Sequence, residues 1–468
     1  MPSAYGSALA TDLYQLTMAA GYFHRGMRGH VATCELFVRR LPRARRYLVA
    51  LGIDELVRHV EALRFSDEDI AFLAELPALR AAMTPAFCDY LRGFSFTGDL
   101  WAVREGTIAF ENEPLVRVRA PIIEAQILET FALSLVNHAT MVGSKAARVV
   151  TAARGRTVVE FGTRRTHPDA AIDAARAAYA AGFAGTSNVE AGRRYGIPVL
   201  GTAAHMWTMA HPTEAASFEG YFQVFPDGAI LLVDTYDTVR GARRAARICR
   251  EKLKGVRLDS GDLGALAKLV RPVLDAEGAP QAKILVSGDL NEHIVERLLA
   301  DGAPIDTFGI GTEVVCSVDA PSLGGVYKLV ELDDGNERRP MAKFSEGKGT
   351  FAGVHQAYRI TAASGAFDRD VLALDDEGPP TLAGGQLAHA LLAPVMIGGK
   401  RRAGPAPLDE VRAHVASGLS ALPPYLRDLA PAEPGDRRYP IEPSSRLRAV
   451  TEEVRRRFVT EGASGERA

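Results

Sequence analysis

Cysteine is scarce in this 468-residue chain, which contains only four. Cys34, Cys88, Cys249 and Cys316 lie far apart and form no Cys-x-x-Cys pair, so neither a disulfide framework nor a zinc site is expected. An excess of one charge is also absent, since 55 Lys and Arg face 57 Asp and Glu. This balance gives no reason to expect nucleic acid or an anionic membrane as a partner. The cysteine usage favours a reducing compartment.

Long apolar runs are missing as well. No run approaches the roughly 18 residues that a membrane-spanning helix needs. The N-terminus lacks the basic segment and apolar core of a signal peptide. Apolar residues nevertheless make up 47% of the chain and charged residues 24%, a composition typical of globular proteins. A chain of this length should form two domains, or one barrel with a large elaboration. We predict a cytoplasmic protein of enzyme size.

Short apolar runs alternate with helical stretches from about Thr157 onward, at a spacing of about 25–40 residues. This repetition predicts a (β/α) barrel or a doubly wound sheet. Polar residues concentrate where the strands end and not where they begin, which is typical of the active face of a barrel. The predicted strands are Thr157–Phe161, Ile197–Leu200, Ala229–Asp234, Gly255–Leu258, Lys283–Ser287 and Ile305–Gly309.

The flanking regions have a different pattern. Residues 1–120 contain strands broken by turns, together with short helices, and indicate an α+β domain. A long helical region, Pro121–Ala153, then leads into the barrel, which we place at residues 121–339. After about Pro340 the alternation of strand and helix is lost. The last residues, 461–468, are predicted to be disordered.

Three polar clusters follow predicted strands: Glu160–His167, Gly201–Trp207 and Arg257–Asp262. In the third, a helix cap from Ser260 or Asp262 would be an ordinary explanation, but it does not explain Arg257 and Asp259 beside it. An acid and an arginine at one strand end suit a sugar diphosphate. The acid could bind ribose hydroxyls or Mg²⁺, and the arginine an anion or an aromatic ring.

Glycines at two neighbouring strand ends indicate phosphate binding, because they let an anion approach backbone N–H groups closely. One loop holds Gly288, and the other holds Gly309, Gly311 and Thr312. His205, in the second cluster, is either a packed or surface residue or, on the active rim, a base or phosphoryl acceptor.

In combination these motifs resemble the nicotinate phosphoribosyltransferase family. The resemblance runs from Thr11–Met18 (TDLYQLTM), through Glu35–Arg40 (ELFVRR), to Gly309–Val330, and covers at least the first 360 residues. It implies an irregular (β/α) barrel with a second α+β domain, built from residues 1–120 and completed by 340–460. It also implies synthesis of nicotinate mononucleotide and pyrophosphate from nicotinate and 5-phosphoribosyl 1-pyrophosphate, coupled to ATP hydrolysis, for NAD synthesis. Members are typically homodimers with shared active sites.

The resemblance also assigns roles to residues. Tyr14 of the partner subunit and Phe161 would sandwich the pyridine ring, while Thr202 and Arg257 would contact nicotinate. His205 matches the histidine that ATP phosphorylates, and Asp259 would hold ribose or the Mg²⁺-bound diphosphate. The residues expected to line phosphate positions are Arg39, Arg164, Gly288, Gly309, Gly311 and Thr312, with Lys343 and Lys348 as further candidates in a more loosely matching region.

Ser187 bears on which base is used. Related enzymes that use nicotinamide carry an acid at this place, which accepts hydrogen bonds from an amide but repels a carboxylate. A neutral serine favours nicotinate. A nicotinamide or quinolinate phosphoribosyltransferase remains an alternative, as does a catalytically silent barrel that acts as a binding protein. A phosphosugar isomerase or aldolase would need a positioned base or a Schiff-base lysine at a strand end, and none is evident.

Overall fold

The computed structural model describes residues 7–433 and 435–460, of which the last two are described by their backbone alone. The predicted disordered tail, residues 461–468, lies outside this range. By contacts the chain divides into two compact units, one formed by Met1–Met141 with Ser322–Ala468 and the other by Val142–Pro321. The domain limits given by the sequence stay a prediction, since a compact unit is not by itself an independently folding domain.

Strands and helices occur in both units. The strands are β1 (Val31–Val38), β2 (Leu48–Ala50), β3 (Asp99–Val103), β4 (Thr107–Ala109), β5 (Pro114–Pro121), β6 (Thr157–Glu160), β7 (Gly185–Thr186), β8 (Ile230–Leu232), β9 (Gly255–Leu258), β10 (Lys283–Ser287), β11 (Thr307–Ile310), β12 (Gly325–Asp333), β13 (Arg338–Pro340), β14 (His355–Thr361), β15 (Phe367–Leu374), β16 (Leu387–Ala390), β17 (Leu392–Ile397), β18 (Lys400–Arg401) and β19 (Ile441–Pro443).

The α-helices are α1 (Leu13–His24), α2 (Ile53–Ala62), α3 (Asp67–Glu75), α4 (Pro85–Arg92), α5 (Ile122–Ala152), α6 (Pro168–Ala180), α7 (Val189–Tyr195), α8 (His205–Met209), α9 (Glu214–Val224), α10 (Thr238–Cys249), α11 (Leu263–Ala276), α12 (Glu292–Ala300), α13 (Thr312–Val315), α14 (Leu408–Ala421) and α15 (Ser445–Arg455). Short 3₁₀ turns occur at Met27–Gly29, Thr163–Arg165, Arg250–Lys252 and Pro424–Leu426, and Arg456–Thr460 forms a π-helical turn.

The second unit is built around a parallel sheet with the order β7-β6-β11-β10-β9-β8. All its pairings are parallel, and the last strand of the unit, β11, pairs with the first, β6. Helices follow the strands, as the alternating pattern predicts. The mixed α/β class is therefore confirmed. Because β7 and β8 stand at the two ends of the order, closure into a barrel stays a prediction.

One predicted strand is wrong. Ile197–Leu200 does not form a strand but lies beside β7 through a single bridge between Thr186 and Val199. Pro198 has no N–H to donate to a ladder, and Val199 and Leu200 are 48% and 40% exposed. The sequence missed β7 instead, because a strand of two residues shows no periodicity.

Polar N-caps connect the strand ends to the helices that follow. Asp262 accepts a hydrogen bond from the Ala265 N–H (3.0 Å) and caps α11, which confirms the ordinary explanation of that residue. Asn188, Asp237 and Asn291 cap α7, α10 and α12 in the same way. Part of the polarity at this edge thus serves the helices and is not available for chemistry.

The first unit contains an antiparallel sheet with the order β13-β12-β1-β5-β3-β17-β18. A smaller sheet, β16-β14-β15-β19, is formed by segments after Pro340, where no strand was predicted. The apolar core of this unit includes Leu16 of α1, Leu36 of β1, Leu56 of α2 and Val116 of β5. In the described ranges of the chain, no helix is long and apolar enough to cross a membrane.

Candidate active site

The register of the parallel sheet aligns four strand ends in one row. Leu232 of β8 and Leu285 of β10 both pair with Arg257 of β9, so the residues two positions later face one another as well. Ser287 pairs with Gly309 of β11. Because side chains two positions apart lie on the same face of a strand, this row presents its groups together. The row consists of Asp234, Asp259, Ser287 and Gly309.

The guanidinium of Arg257 joins the side chains of this row. Its Nε donates to Ser287 Oγ (2.7 Å), Nη1 to Thr202 Oγ1 (3.1 Å) and Nη2 to Asp259 Oδ1 (2.6 Å). Its Cζ lies 5.5 Å from the centre of the Phe161 ring. The arginine is therefore held in one orientation, with its guanidinium carbon over an aromatic ring, a contact that favours a cation.

Asp259 is held as a carboxylate. Ser287 Oγ donates to Oδ1 at 2.5 Å, and the Asp259 N–H donates to Asp234 Oδ2 at 2.8 Å. Burial alone would raise the pKa of the Asp259 carboxyl, but the Ser287 hydrogen bond and the Arg257 charge outweigh burial and lower the pKa below its ordinary value. The other oxygen of Asp234, Oδ1, is buried without a hydrogen-bond partner. The row thus presents two acidic side chains, and one oxygen of Asp234 has no hydrogen-bond partner.

Two glycines on this edge cannot be replaced without displacing a neighbour. A Cβ on Gly309 would lie 2.5 Å from the Phe161 ring, so the ring occupies the space above that strand. Gly288 has φ +99°, and a Cβ there would lie 2.2 Å from the Asp259 carbonyl oxygen. These glycines thus make room for the Phe161 ring and the Asp259 backbone, and phosphate binding by their loops stays a prediction.

The predicted phosphate residues of the second unit share one small cavity of about 80 Å³. Arg164 lies in the 3₁₀ turn after β6, is exposed, and lines this cavity together with Arg165. Asp289 lines it too and would oppose an anion, so the arginines must dominate for phosphate to bind. Further lining residues include Gly288, Gly309, Gly311 and Thr312.

His205 is the first residue of α8 and lies beside the acidic row. Its Nδ1 is 3.1 Å from Thr235 Oγ1, and its Nε2 is 3.8 Å from Asp259 Oδ2. The side chain is 39% exposed. The histidine is therefore neither a packed core residue nor remote from the site: it is oriented by a hydroxyl, faces a carboxylate, and is reachable by a ligand.

Ser187 directly follows β7. This strand is the neighbour of β6, and β6 leads into Phe161. Its N–H donates to the Glu160 carbonyl at 2.9 Å, and its side chain is half-buried. Thr202, as described above, contacts the Arg257 guanidinium. Both predicted base-contacting residues thus belong to the same edge as Phe161.

The remaining predicted residues lie in the first unit. Tyr14 is on α1 and is 47% exposed, next to Leu13 at 48%. Arg39 follows β1 and donates through Nη2 to the Lys348 carbonyl at 3.5 Å. Lys343 and Thr350 close one turn, in which the Lys343 N–H donates to Thr350 Oγ1 at 3.0 Å, and Lys348 lies within this turn. The structure thus brings Arg39 and Lys348 together within their unit.

A larger cavity of about 730 Å³ is lined by residues of the first unit. Two of its guanidinium groups pair with carboxylates: Arg43 lies 2.5 Å from Glu433, and Arg46 lies 2.8 Å from Asp436. This cavity is lined by none of the residues that the sequence predicts to bind substrate.

Sequence reasoning assigned no role to Asp234, Thr235 or Ser287 individually. Each lies at the end of a predicted strand, and that position was the available signal. The contacts that make them part of the site depend on which strands are neighbours, which strand-end position alone does not reveal.

Comparisons with known proteins agree on one family. The model of the nicotinate phosphoribosyltransferase N-terminal domain matches residues 9–137, and the model of the nicotinate phosphoribosyltransferase family matches residues 157–343. Nicotinate phosphoribosyltransferase pncB2 of Mycobacterium tuberculosis is 43% identical over 447 residues, which cover 94% of this chain and 92% of the relative. Nicotinate phosphoribosyltransferase of Bacillus subtilis is 42% identical over 380 residues, or 79% and 76% of the two chains. The crystal structure of human nicotinic acid phosphoribosyltransferase matches with a TM-score of 0.81 at 30% identity, covering 95% of this chain and 100% of that one.

Proposed function

We infer, because the chain belongs to the nicotinate phosphoribosyltransferase family, that it makes nicotinate mononucleotide and pyrophosphate from nicotinate and 5-phosphoribosyl 1-pyrophosphate in NAD biosynthesis. The observation that carries this inference is the triply bonded Arg257 beside Phe161, at an edge where glycine and arginine residues line one cavity. The site offers a guanidinium for the nicotinate carboxylate, the Phe161 ring for the pyridine ring, and glycine backbone for a phosphate.

The base is proposed to lie against Phe161, with Arg257 and Thr202 near its carboxylate. Arg257 already shares its guanidinium with Asp259, so part of its charge is neutralised before substrate binds. A neutral Ser187 adds no repulsion to a substrate carboxylate, whereas an acid there would. Nicotinate is therefore the proposed substrate over nicotinamide, because a neutral amide forms a weaker hydrogen bond to a guanidinium than a carboxylate does.

The sugar diphosphate is proposed to occupy the glycine-lined cavity, with Arg164, Gly288, Gly309, Gly311 and Thr312 as its phosphate contacts. Arg39, in the other unit, stays a predicted phosphate-binding residue. Mg²⁺ would enter as part of this substrate. The carboxylates of the row suit a hard cation, since Asp259 is held ionised and Asp234 Oδ1 has no partner. When bound, the ion would supply charge neutralisation for the diphosphate.

Displacement of pyrophosphate at the anomeric carbon breaks the C1–O bond and forms the C1–N bond to the pyridine nitrogen, through an oxocarbenium-like state. The protein contributes orientation and charge stabilisation and need not form a covalent bond to the sugar. Asp259 is placed to hold ribose hydroxyls or the cation on the diphosphate. Arg257 and Phe161 hold the base on the other side of the reacting carbon.

ATP is proposed as a further substrate, with His205 as its phosphoryl acceptor. Transfer breaks the bond between the γ-phosphorus and its bridging oxygen, forms a P–N bond to the imidazole, and leaves ADP; water later cleaves the P–N bond and releases phosphate. The exposed ring and its fixed orientation by Thr235 support this role. Phosphorylation would add negative charge close to Asp259, whose Oδ2 lies 3.8 Å from the imidazole, so a cation would have to screen the two groups from each other.

A homodimer with shared active sites is proposed as the working form. Leu13, Tyr14 and Met18 of α1 are 48%, 47% and 37% exposed, an apolar and aromatic surface that a second copy would cover. Tyr14 would then stack on the base bound opposite Phe161 in the neighbouring subunit.

The test is a comparison of three bases under one condition. Purified protein, Mg²⁺ and 5-phosphoribosyl 1-pyrophosphate are incubated with nicotinate, nicotinamide or quinolinate, with and without ATP, and pyrophosphate release is followed. The proposal expects the fastest release with nicotinate and a further rise with ATP. Faster turnover of either other base would assign the chain that specificity instead. A nicotinate reaction that ATP leaves unchanged, with no labelled phosphate on His205, would refute the phosphohistidine.

A further inference from the structure

A buried carboxylate lies immediately before Phe161. Glu160 ends β6 and is 1% exposed. Its Oε1 accepts the N–H of Gly162, and its Oε2 accepts the hydroxyl of Thr186 at 2.5 Å. One group thus fixes the loop on the far side of Phe161 and, at the same time, the end of the neighbouring strand β7.

The connection continues through Thr186 to the loop that carries Ser187. Thr186 Oγ1 also accepts the N–H of Asn188 at 2.9 Å, and Ser187 itself donates its N–H to the Glu160 carbonyl at 2.9 Å. Asn188 in turn caps α7 through Ala191 (2.9 Å). Ser187 is therefore held from both sides by groups that belong to, or bind to, Glu160.

Strand pairing does not require this carboxylate, because the backbone of β6 already pairs with β7 and β11. Burying an acid is unfavourable unless hydrogen bonds compensate for it, and burial indeed raises the pKa of Glu160 against the opposing effect of its two donors. Its two donors lie on different segments, Gly162 after β6 and Thr186 at the end of β7. The carboxylate therefore links these segments and bears on their relative position.

We propose that Glu160 and Thr186 are positioning residues that set the spacing between the Phe161 ring and Ser187, and thereby the affinity and selectivity for the pyridine base. This inference rests on the proposed function. It names no new contact to substrate, since both side chains are buried behind the residues that would touch the base. Removing the hydrogen bond between Glu160 and Thr186 should therefore weaken binding of the base and leave binding of the sugar diphosphate unchanged.

Three threonine variants provide the test. Thr186→Val removes the hydroxyl and keeps the shape, whereas Thr186→Ser keeps the hydroxyl. Thr140→Val is the matched control, because Thr140 is equally buried and its hydroxyl bonds to the backbone of Leu51 in the first unit. For each variant, KM for nicotinate, KM for the sugar diphosphate, kcat and Tm are measured. Glu160→Gln, which can satisfy only one of the two donors, serves if Thr186→Val does not fold.

The expected result is a rise in the nicotinate KM of Thr186→Val on the order of tenfold, the usual effect of an unsatisfied buried group, with little change in the KM for the sugar diphosphate. Thr186→Ser should restore the wild-type value. Thr140→Val should lower Tm and leave the nicotinate KM unchanged. Equal rises in both KM values, or a Thr186→Val variant with the wild-type nicotinate KM, would overturn the inference while the activity stands. Absence of nicotinate turnover in the wild-type protein would instead refute the proposed function.

Discussion

Replacing Arg257 by lysine tests the geometry of the base site. The change keeps the positive charge but removes the fork, that is, the planar set of N–H donors of the guanidinium. An ammonium can retain contact with Asp259 and Ser287, whose oxygens lie 2.5 Å apart, but it cannot present two parallel N–H groups to a substrate carboxylate. The loss of one such hydrogen bond to a charged group costs about 1.5–3 kcal/mol. We therefore expect kcat/KM for nicotinate to fall by roughly 10- to 150-fold.

The control for this variant is Arg271→Lys. Arg271 is similarly enclosed, and its three nitrogens also donate, at 3.0, 2.6 and 3.2 Å, to Asp275, Ala282 and Ala279. It lies on α11 and lines a cavity with residues that begin the strands, not with those that end them. We expect the control to lose stability and keep kcat/KM. If Arg257→Lys changed kcat/KM by less than about threefold, the fork would not be what binds the base, and the reasoning would fail.

Three further outcomes are expected. Ser187→Asp should lower kcat/KM for nicotinate by the equivalent of about 1–3 kcal/mol through like-charge repulsion; an unchanged value would show that this side chain does not face the carboxylate. Inactive Tyr14→Ala and inactive His205→Ala proteins can be mixed under conditions in which subunit exchange is demonstrated. If the dimer shares its sites, activity equivalent to about a quarter of the wild-type sites should return, since each mixed dimer has one intact site. No recovery would place Tyr14 in its own chain's site. Lys145→Met should lower the free energy of unfolding by about 3–5 kcal/mol, since the ammonium is buried among three carboxylates within 3.2 Å. The control Lys283→Met breaks an exposed ion pair and should lower it by at most about 1 kcal/mol. Equal losses for the two variants in denaturant titration would contradict the burial argument.

Strand ends and helix caps could be predicted from the sequence because they are local. β9 and β10 have the bounds predicted for them, and Asp262 caps α11, which agrees with the helix cap considered for that residue. Arg257 and Asp259 could be singled out because no cap or turn explains them. These inferences require only the residues on either side of each position.

The contacts within the site could not be predicted in this way. The row from Asp234 to Gly309 exists because β8, β9, β10 and β11 are neighbours in a particular register, which the sequence of any one strand does not determine. The link from Glu160 to Thr186 depends on β7, whose two residues show no pattern. Ile197–Leu200 was mistaken for a strand because apolar composition alone does not report burial: Ile197 is buried, but Val199 and Leu200 are exposed.

The measurement that tests the central claim most directly is identification of the product. Purified wild-type protein is incubated with nicotinate, 5-phosphoribosyl 1-pyrophosphate, ATP and Mg²⁺, and the mixture is analysed by mass spectrometry beside a pyrophosphate assay. The account predicts nicotinate mononucleotide and pyrophosphate in equal amounts, with both lost when either nicotinate or the sugar diphosphate is omitted. Pyrophosphate release that does not depend on nicotinate, or no mononucleotide under these conditions, would contradict it.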